Sequence, residues 1–492
     1  MGKAYINQFN GGLAQDNRTF STNQYAEAVN LDMLTYGHYL APYKDTTNET
    51  MVSGTIDDHR ITDVSTLVTS GSTYIIGLGR NNSGSNSPKF FKKDSTTSVT
   101  ASWQSYATGA NSVVAGTLQT YKGKGYCLGD TTSAHNLQEW DGASSVSTVG
   151  TLTGYGTNPP RPFEHPEDKI LYMASGNVVS KYDGSSFTAT ALTLPTDKII
   201  TSLTNYGTYL VIICKPKNGS GNSTMYFWGR STTLTTLQAV FDLGVGDALV
   251  VENLENQLFI VMATNTVGNY TTSSTKYLIV KTYSGGSTPI LTKIPISSSV
   301  TTNNLKMKIE DELYFGFSND TALYRIGKNK DGVFSLNRDV AIPEANATIA
   351  GISRVGDLYW LSYVVSGTYK LKRTLSEAET ASYATVSSFT TTYNPSMALE
   401  DRYKKKQLTA VQVSFTGASS GTATLYLSVD GATMKSCLSS TLTGERMVST
   451  TKFTDGTVFP EGSEFQFKFT STGNVKLKEI RYRYTLTNDQ FA

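Results

Sequence analysis

The chain has 492 residues, and 42 Lys and Arg against 40 Asp and Glu leave a formal net charge of +2, with only 17% of residues charged. That balance excludes a global electrostatic pull toward nucleic acid or an acidic membrane, and the length allows two to four domains. Abundant Gly, Tyr, Phe, Ser and Thr favour short strands joined by tight turns over long helices. Residues 1–62 read as an N-terminal arm. Ser21 and Gln24 have capping-box spacing, which predicts a short helix running into Tyr25-Ala-Glu-Ala-Val29 and ending before Gly37. Met51-Val-Ser-Gly-Thr-Ile56 reads as a strand that could join the last repeat and close a ring.

From residue 63 to 393 one phrase recurs, a polar turn followed by an aromatic and aliphatic strand. Its copies begin at Gly71, Gly123, Asp168, Gly207, Asn256, Asp311 and Gly356, with steps of 39 to 55 residues. That period belongs to four-stranded blades. A second aromatic strand follows each copy, as in Lys89-Phe-Phe-Lys-Lys, Met225-Tyr-Phe-Trp and Tyr369-Lys-Leu-Lys. The expected architecture is all-β: a seven-bladed β-propeller over 63–393 between the arm and a C-terminal β-sandwich. Polar loops between the paired strands at 80–87, 215–224 and 264–274 should emerge on one face, and Asn82, Lys215, Lys217, Asn218 and Tyr270 are its candidate contact residues. Residues 394–492 change rhythm. Leu408 to Phe415, Thr424 to Gly431, Glu464 to Phe469 and Lys476 to Tyr484 are strands, the last three alternating with period two, as a β-sandwich of this size requires.

Candidate chemistry is sparse. His38, His59, His135 and His165 have no metal-ligand spacing and read as isolated surface or turn residues. No nucleophile elbow or phosphate-cradling loop occurs. The neighbouring carboxylates Asp57-Asp58, Glu310-Asp311 and Glu400-Asp401 would point to opposite faces of a strand. No catalytic, cofactor or metal residue is therefore assigned, and the chain is read as a non-enzyme. Cys127, Cys214 and Cys437 read as free buried thiols, which fits a reducing compartment. Trp103, Trp140 and Trp228 read as core, with glycan stacking as the alternative. Arg402, Lys404, Lys405 and Lys406 form the one compact basic run, either a solvated approach to the first sandwich strand or a contact to DNA phosphates. No signal-peptide core or membrane-length apolar run is seen.

Two stretches resemble virion proteins of tailed bacteriophages. Gly11, Gly12 and Leu13, with Ala26 and Asn30 and then Gly37 to Pro42 beyond, are similar to the opening of tail nozzle and tail-associated propeller proteins, and Phe9, Gly11, Gly12, Leu13 and Asn30 are candidate partner contacts, as are Arg402 and Lys404 to Lys406. Lys404 to Lys406 leading into an alternating strand, then Val429-Asp430-Gly431, is similar to the module that often ends such chains. The resemblance implies a structural subunit of tail, neck or baseplate, assembled in the host cytoplasm and located in the virion. Its partners would be copies of itself and other virion proteins. Weak contact with genomic DNA or a host glycan stays open, and a glycan-binding or glycan-cleaving propeller is the alternative function.

Overall fold

The computed structural model describes residues 2–6, 25–29, 31–32, 41–42, 46–52, 61–69, 72–80, 88–93, 102–108, 112–114, 117–131, 133–143, 145–156, 159–219, 221–230, 237–267, 270–271, 275–297, 306–309, 311–317, 322–329, 332–341, 348–355, 358–374, 387–397, 401 and 404–487. Among them every regular element longer than a single turn is a strand. The chain divides into two compact units: Thr47–Thr321 with Ile342–Ser376, and Met1–Thr46 with Ala322–Ala341 and Glu377–Ala492.

The larger unit repeats one antiparallel pattern. Its first sheet runs Asp63–Thr69, Ser72–Arg80, Pro88–Lys93, Trp103–Thr108, each strand bonded to the next. The same order returns in sheets spanning 112–152, 163–193, 198–245 and 247–297. The hairpin Lys306–Ile309 with Glu312–Phe315 follows. In the last sheet Thr348–Val355, Leu358–Val365 and Thr368–Thr374 are joined on the far side by Thr46–Asn48, from near the start of the chain. All seven recurring phrases fall on the second strand of such a series, as Tyr74, Tyr126, Leu210 and Phe259 illustrate.

Alternation along these strands explains how consecutive sheets hold together. In Tyr209–Pro216, Leu210, Ile212 and Cys214 pack with Tyr172 and Val179 of the preceding sheet. Val211 and Ile213 pack instead with Val251, Ile260 and Met262 of the following one. Successive side chains point to opposite faces, so a strand apolar at every position must be covered on both. Each such residue, buried, contributes about 1.5–3 kcal/mol. The series also returns on itself, because Leu358, Trp360 and Leu371 of the last sheet share a core with Ile61, Val64, Phe91 and Trp103 of the first. These are the relationships of β-propeller blades.

The ring-closing strand expected at Met51–Ile56 is corrected. Pairing is made earlier, by Thr46–Asn48, with Glu49 N donating to Leu371 O at 2.9 Å. Met51 makes only a parallel bridge to Trp103, and residues 53–60 lie outside the described residues. The helix expected from Ser21 is corrected too. Tyr25–Val29 is a strand paired with Ser387–Thr391, its Tyr25 and Ala28 buried, and pairing with a partner more than 350 residues away overrides a local capping signal. Ser21 and Gln24 lie outside the described residues.

In the second unit the start of the chain is an integral strand of the C-terminal sheet and not a detached arm. Gly2–Ile6 pairs with Val475–Leu486, which pairs with the first half of the 24-residue strand Lys406–Val429. The second half of that strand pairs with Phe465–Ser471, which continues to Ser387–Thr391 and Tyr25–Val29. The change of partner coincides with a register shift between Gly417 and Gly421. Phe467 and Tyr482, on strands that are not paired, bring their rings to 5.0 Å. Tyr25 Oη donates to Asn337 Oδ1 at 2.9 Å, tying the hairpin of Ala322–Lys328 and Phe334–Ala341 to this unit.

Candidate functional site

The polar groups of the larger unit concentrate where the first strands of its sheets converge. Val64 N donates to Ser353 Oγ at 2.8 Å, Leu118 N to Asp63 Oδ2 at 3.1 Å, and Thr201 Oγ1 to Ala248 O at 2.8 Å. Two ion pairs bridge different sheets. Arg161 Nη2 lies 2.7 Å from Asp63 Oδ1, and Lys306 Nζ lies 3.0 Å from Glu252 Oε2 while also donating to Leu203 O and Val251 O. Thr204 Oγ1 donates to the other Glu252 oxygen at 2.7 Å. Burial holds the Lys306 ammonium below its ordinary pKa, against the opposing pull of Glu252. A buried charge left unpaired costs several kcal/mol, so these partners are obligatory. Each carboxylate here already holds a cation.

A second buried cluster lies where the last sheet meets the first. Glu49 receives Trp103 Nε1 at 2.5 Å, has Arg373 Nε 2.9 Å away, and is paired with Lys93. Neither local strand periodicity nor motif spacing could have indicated it, since its members come from opposite ends of the repeat series.

His135 and His165 are buried, against the expectation of isolated surface residues, while His165 does head a turn, its O accepting from Lys169 N at 3.0 Å. His165 Nδ1 is 3.2 Å from Arg230 Nη1, and Arg230 binds Asp168 at 2.5 Å, pairs with Glu167 and donates to Thr208 O at 2.9 Å. Burial, then the Arg230 charge, lowers the His165 pKa. His135 Nδ1 lies 2.7 Å from Ser175 Oγ, its Nε2 is 3.4 Å from Asp130 Oδ1, and the ring stacks on Tyr155 at 5.1 Å. Ser, His and Asp meet here, yet the Ser175 hydroxyl is buried and donates to Gly154 O at 2.9 Å. A serine nucleophile needs its proton directed to the imidazole and its oxygen open to substrate. This arrangement supplies neither. Tyr155 remains 43% exposed, and the neighbouring Asp130 raises its pKa. His38 and His59 lie outside the described residues.

Of the expected contact residues, Phe9, Gly11, Gly12, Leu13, Asn30, Asn82 and Arg402 lie outside the described residues. Lys217 and Asn218 are exposed in the turn after Tyr209–Pro216, and Lys215 Nζ is 3.8 Å from Asp247. Tyr270 belongs to a short strand paired with Thr266–Val267. Lys404 and Lys405 are exposed, but Lys406 is buried, which corrects its reading as part of a solvated or DNA-facing run. Its Nζ donates to Asp401 O, Lys404 O and Ser463 O at 2.6–2.9 Å, carbonyls that replace water. Burial brings the Lys406 pKa down to about 8, with Asp401 opposing. Trp103, Trp140 and Trp228 are fully buried and unavailable for sugar stacking, and the three cysteines are free and buried.

No protein-family model and no curated protein matches the sequence. Among solved structures, the chain is similar to an exo-β-1,3-galactanase from Phanerochaete chrysosporium in complex with galactose, at 12% identity and TM-score 0.32, covering 90% of this chain and 100% of that one. A putative 6-phosphogluconolactonase from Bacteroides fragilis matches at 9% identity and TM-score 0.41, over 60% of this chain and 91% of that one. YCF48 from Cyanidioschyzon merolae matches at 9% identity and TM-score 0.40, over 67% and 98%. Likenesses of this size carry no argument about activity or ligand.

Proposed function

We propose that this chain is a non-enzymatic structural subunit, a seven-bladed β-propeller with a C-terminal β-sandwich, that works by docking to neighbouring proteins. The observation that carries the reading is the commitment of its buried and half-buried carboxylates. Asp63, Glu49, Glu252 and Asp168 each hold an Arg or Lys. Carboxylates tied to cations in this way serve rigidity better than proton transfer, for which a group poised near working pH is needed. Placement in a tailed-phage virion, assembled in the host cytoplasm among copies of itself and other virion proteins, rests on the resemblance of the two chain ends. The test is quantitative mass spectrometry of particles from a culture producing the chain. A fixed ratio to a virion protein of known copy number supports the reading, and absence from the particles removes it.

A second reading, a glycan-binding propeller at a host surface or one that cleaves glycan, is favoured by one feature. Tyr155 offers an exposed ring, and beside it lies the half-buried Asp130 carboxylate, whose Oδ1 is 3.4 Å from His135 Nε2. An aromatic face with an adjacent carboxylate suits a sugar ring and its hydroxyls. Saturable binding on a glycan array that Tyr155→Ala abolishes would favour this reading over the first.

A further inference from the structure

Lys3 and Arg483 are direct cross-strand partners, both exposed on the same face of the second unit. Like charges opposed in this way are unfavourable, and a surface free to vary would be expected to place a carboxylate at one of the two positions. Here neither has an ion pair to a carboxylate among the described residues. The neighbouring outward residue, Arg481, pairs with Glu479 at 2.6 Å. The three cations converge on a groove of about 190 Å³ whose floor includes the small residues Ala410 and Ser449. The row continues along the same strand through Lys478, which pairs with Glu445 at 2.6 Å, and Lys476, with Glu479 standing between Lys478 and Arg481. From Lys476 to Arg483 it covers about 23 Å at roughly 3.3 Å per residue.

We infer that this sheet face is a binding surface for the phosphodiester backbone of nucleic acid, contacted without reading sequence. Lys3 and Arg483, side by side at the groove, suit successive phosphate oxygens, which arginine binds well. An acidic peptide would gain most by adding to a sheet edge, whereas this groove runs over the face of four strands, Gly2–Ile6, Val475–Leu486, Lys406–Val429 and Lys435–Thr450. The surface is distinct from the Lys404–Lys406 run, where Lys406 turns inward. It does not depend on the proposed virion role.

The test is fluorescence anisotropy with the full chain, using a random-sequence DNA duplex of about 20 base pairs and its single strand, with poly-glutamate as competitor. Expected are saturable binding at low salt and a log–log salt slope of about −2 to −3, as for two or three neutralised phosphates. Lys3→Glu with Arg483→Glu should weaken binding at least tenfold, while Lys404→Glu with Lys405→Glu leaves it unchanged. Lys3→Glu alone should weaken binding yet raise the melting temperature, because it turns a repulsive pair into an attractive one. That rise separates a lost contact from a damaged fold. No saturable binding, equal loss in the Lys404/Lys405 variant, stronger competition by poly-glutamate than by DNA, or a lower melting temperature for Lys3→Glu would overturn the inference.

Discussion

Glu49 Oε1 lies 2.9 Å from Arg373 Nε, with both side chains about 3% exposed, so a residue near the chain start neutralises a cation in the last sheet. The other Glu49 oxygen takes Trp103 Nε1 and pairs with Lys93, both in the first sheet. One carboxylate thus fastens the two ends of the series. Glu49→Ala takes the neutralising carboxylate away from two buried cations and is expected to cost about 3–5 kcal/mol. Urea denaturation checks this, and a change within about 0.5 kcal/mol of the parent would mean that the clasp does not hold the ring.

The central pair Glu252 and Lys306 should behave as a unit. Either Glu252→Leu or Lys306→Met alone strands a buried charge and is expected to cost about 3–5 kcal/mol. The double variant should cost less than the sum, with a coupling of about 0.5–3 kcal/mol in a double-mutant cycle. Strict additivity would indicate that the two groups do not interact.

Gly351 tests how closely the last sheet approaches the segment leading into the first. A Cβ at this position would sit 1.7 Å from Thr62 O, a backbone atom that cannot swing aside. Gly351→Ala is expected to destabilise by more than about 3 kcal/mol. Gly367→Ala, at φ +82 with open space around it, should cost only about 1 kcal/mol. Similar melting temperatures for the two variants would contradict this packing.

The buried histidines predict an acid-sensitive fold. Burial lowers the pKa of both His135 and His165 below the ordinary value of about 6.5. The unfolded chain therefore binds more protons between the folded and ordinary values. The associated stability is fully present above about pH 6.5 and is lost as the pH falls through that window. Thermal melts from about pH 8 to 5 should decline less steeply for His135→Gln/His165→Gln than for the parent. Parallel profiles would rule the histidines out as the source.

The repeat was legible because its signal is local. A turn residue followed by Tyr-Ile-Ile or Leu-Val-Ile marks a strand covered on both faces, and those phrases mark the second strand of sheet after sheet. Relationships closed over long stretches of chain were not legible. Nothing near Glu49 announces Arg373, and nothing in Gly2–Ile6 announces Val475–Leu486. Tyr25-Ala-Glu-Ala-Val29 suggests a helix after a capping pair because the residue that decides otherwise, Phe389, lies across a strand pairing. Lys406 looks solvated in a basic run because three carbonyls reach it only after folding.

The most direct measurement is the copy number of this chain in purified particles, by quantitative mass spectrometry against a virion protein of known stoichiometry. The proposed docking role predicts a constant ratio from preparation to preparation, fitting a ring or small symmetric set. A chain absent from the particles, or carried over at a ratio that drifts with purification, would contradict it.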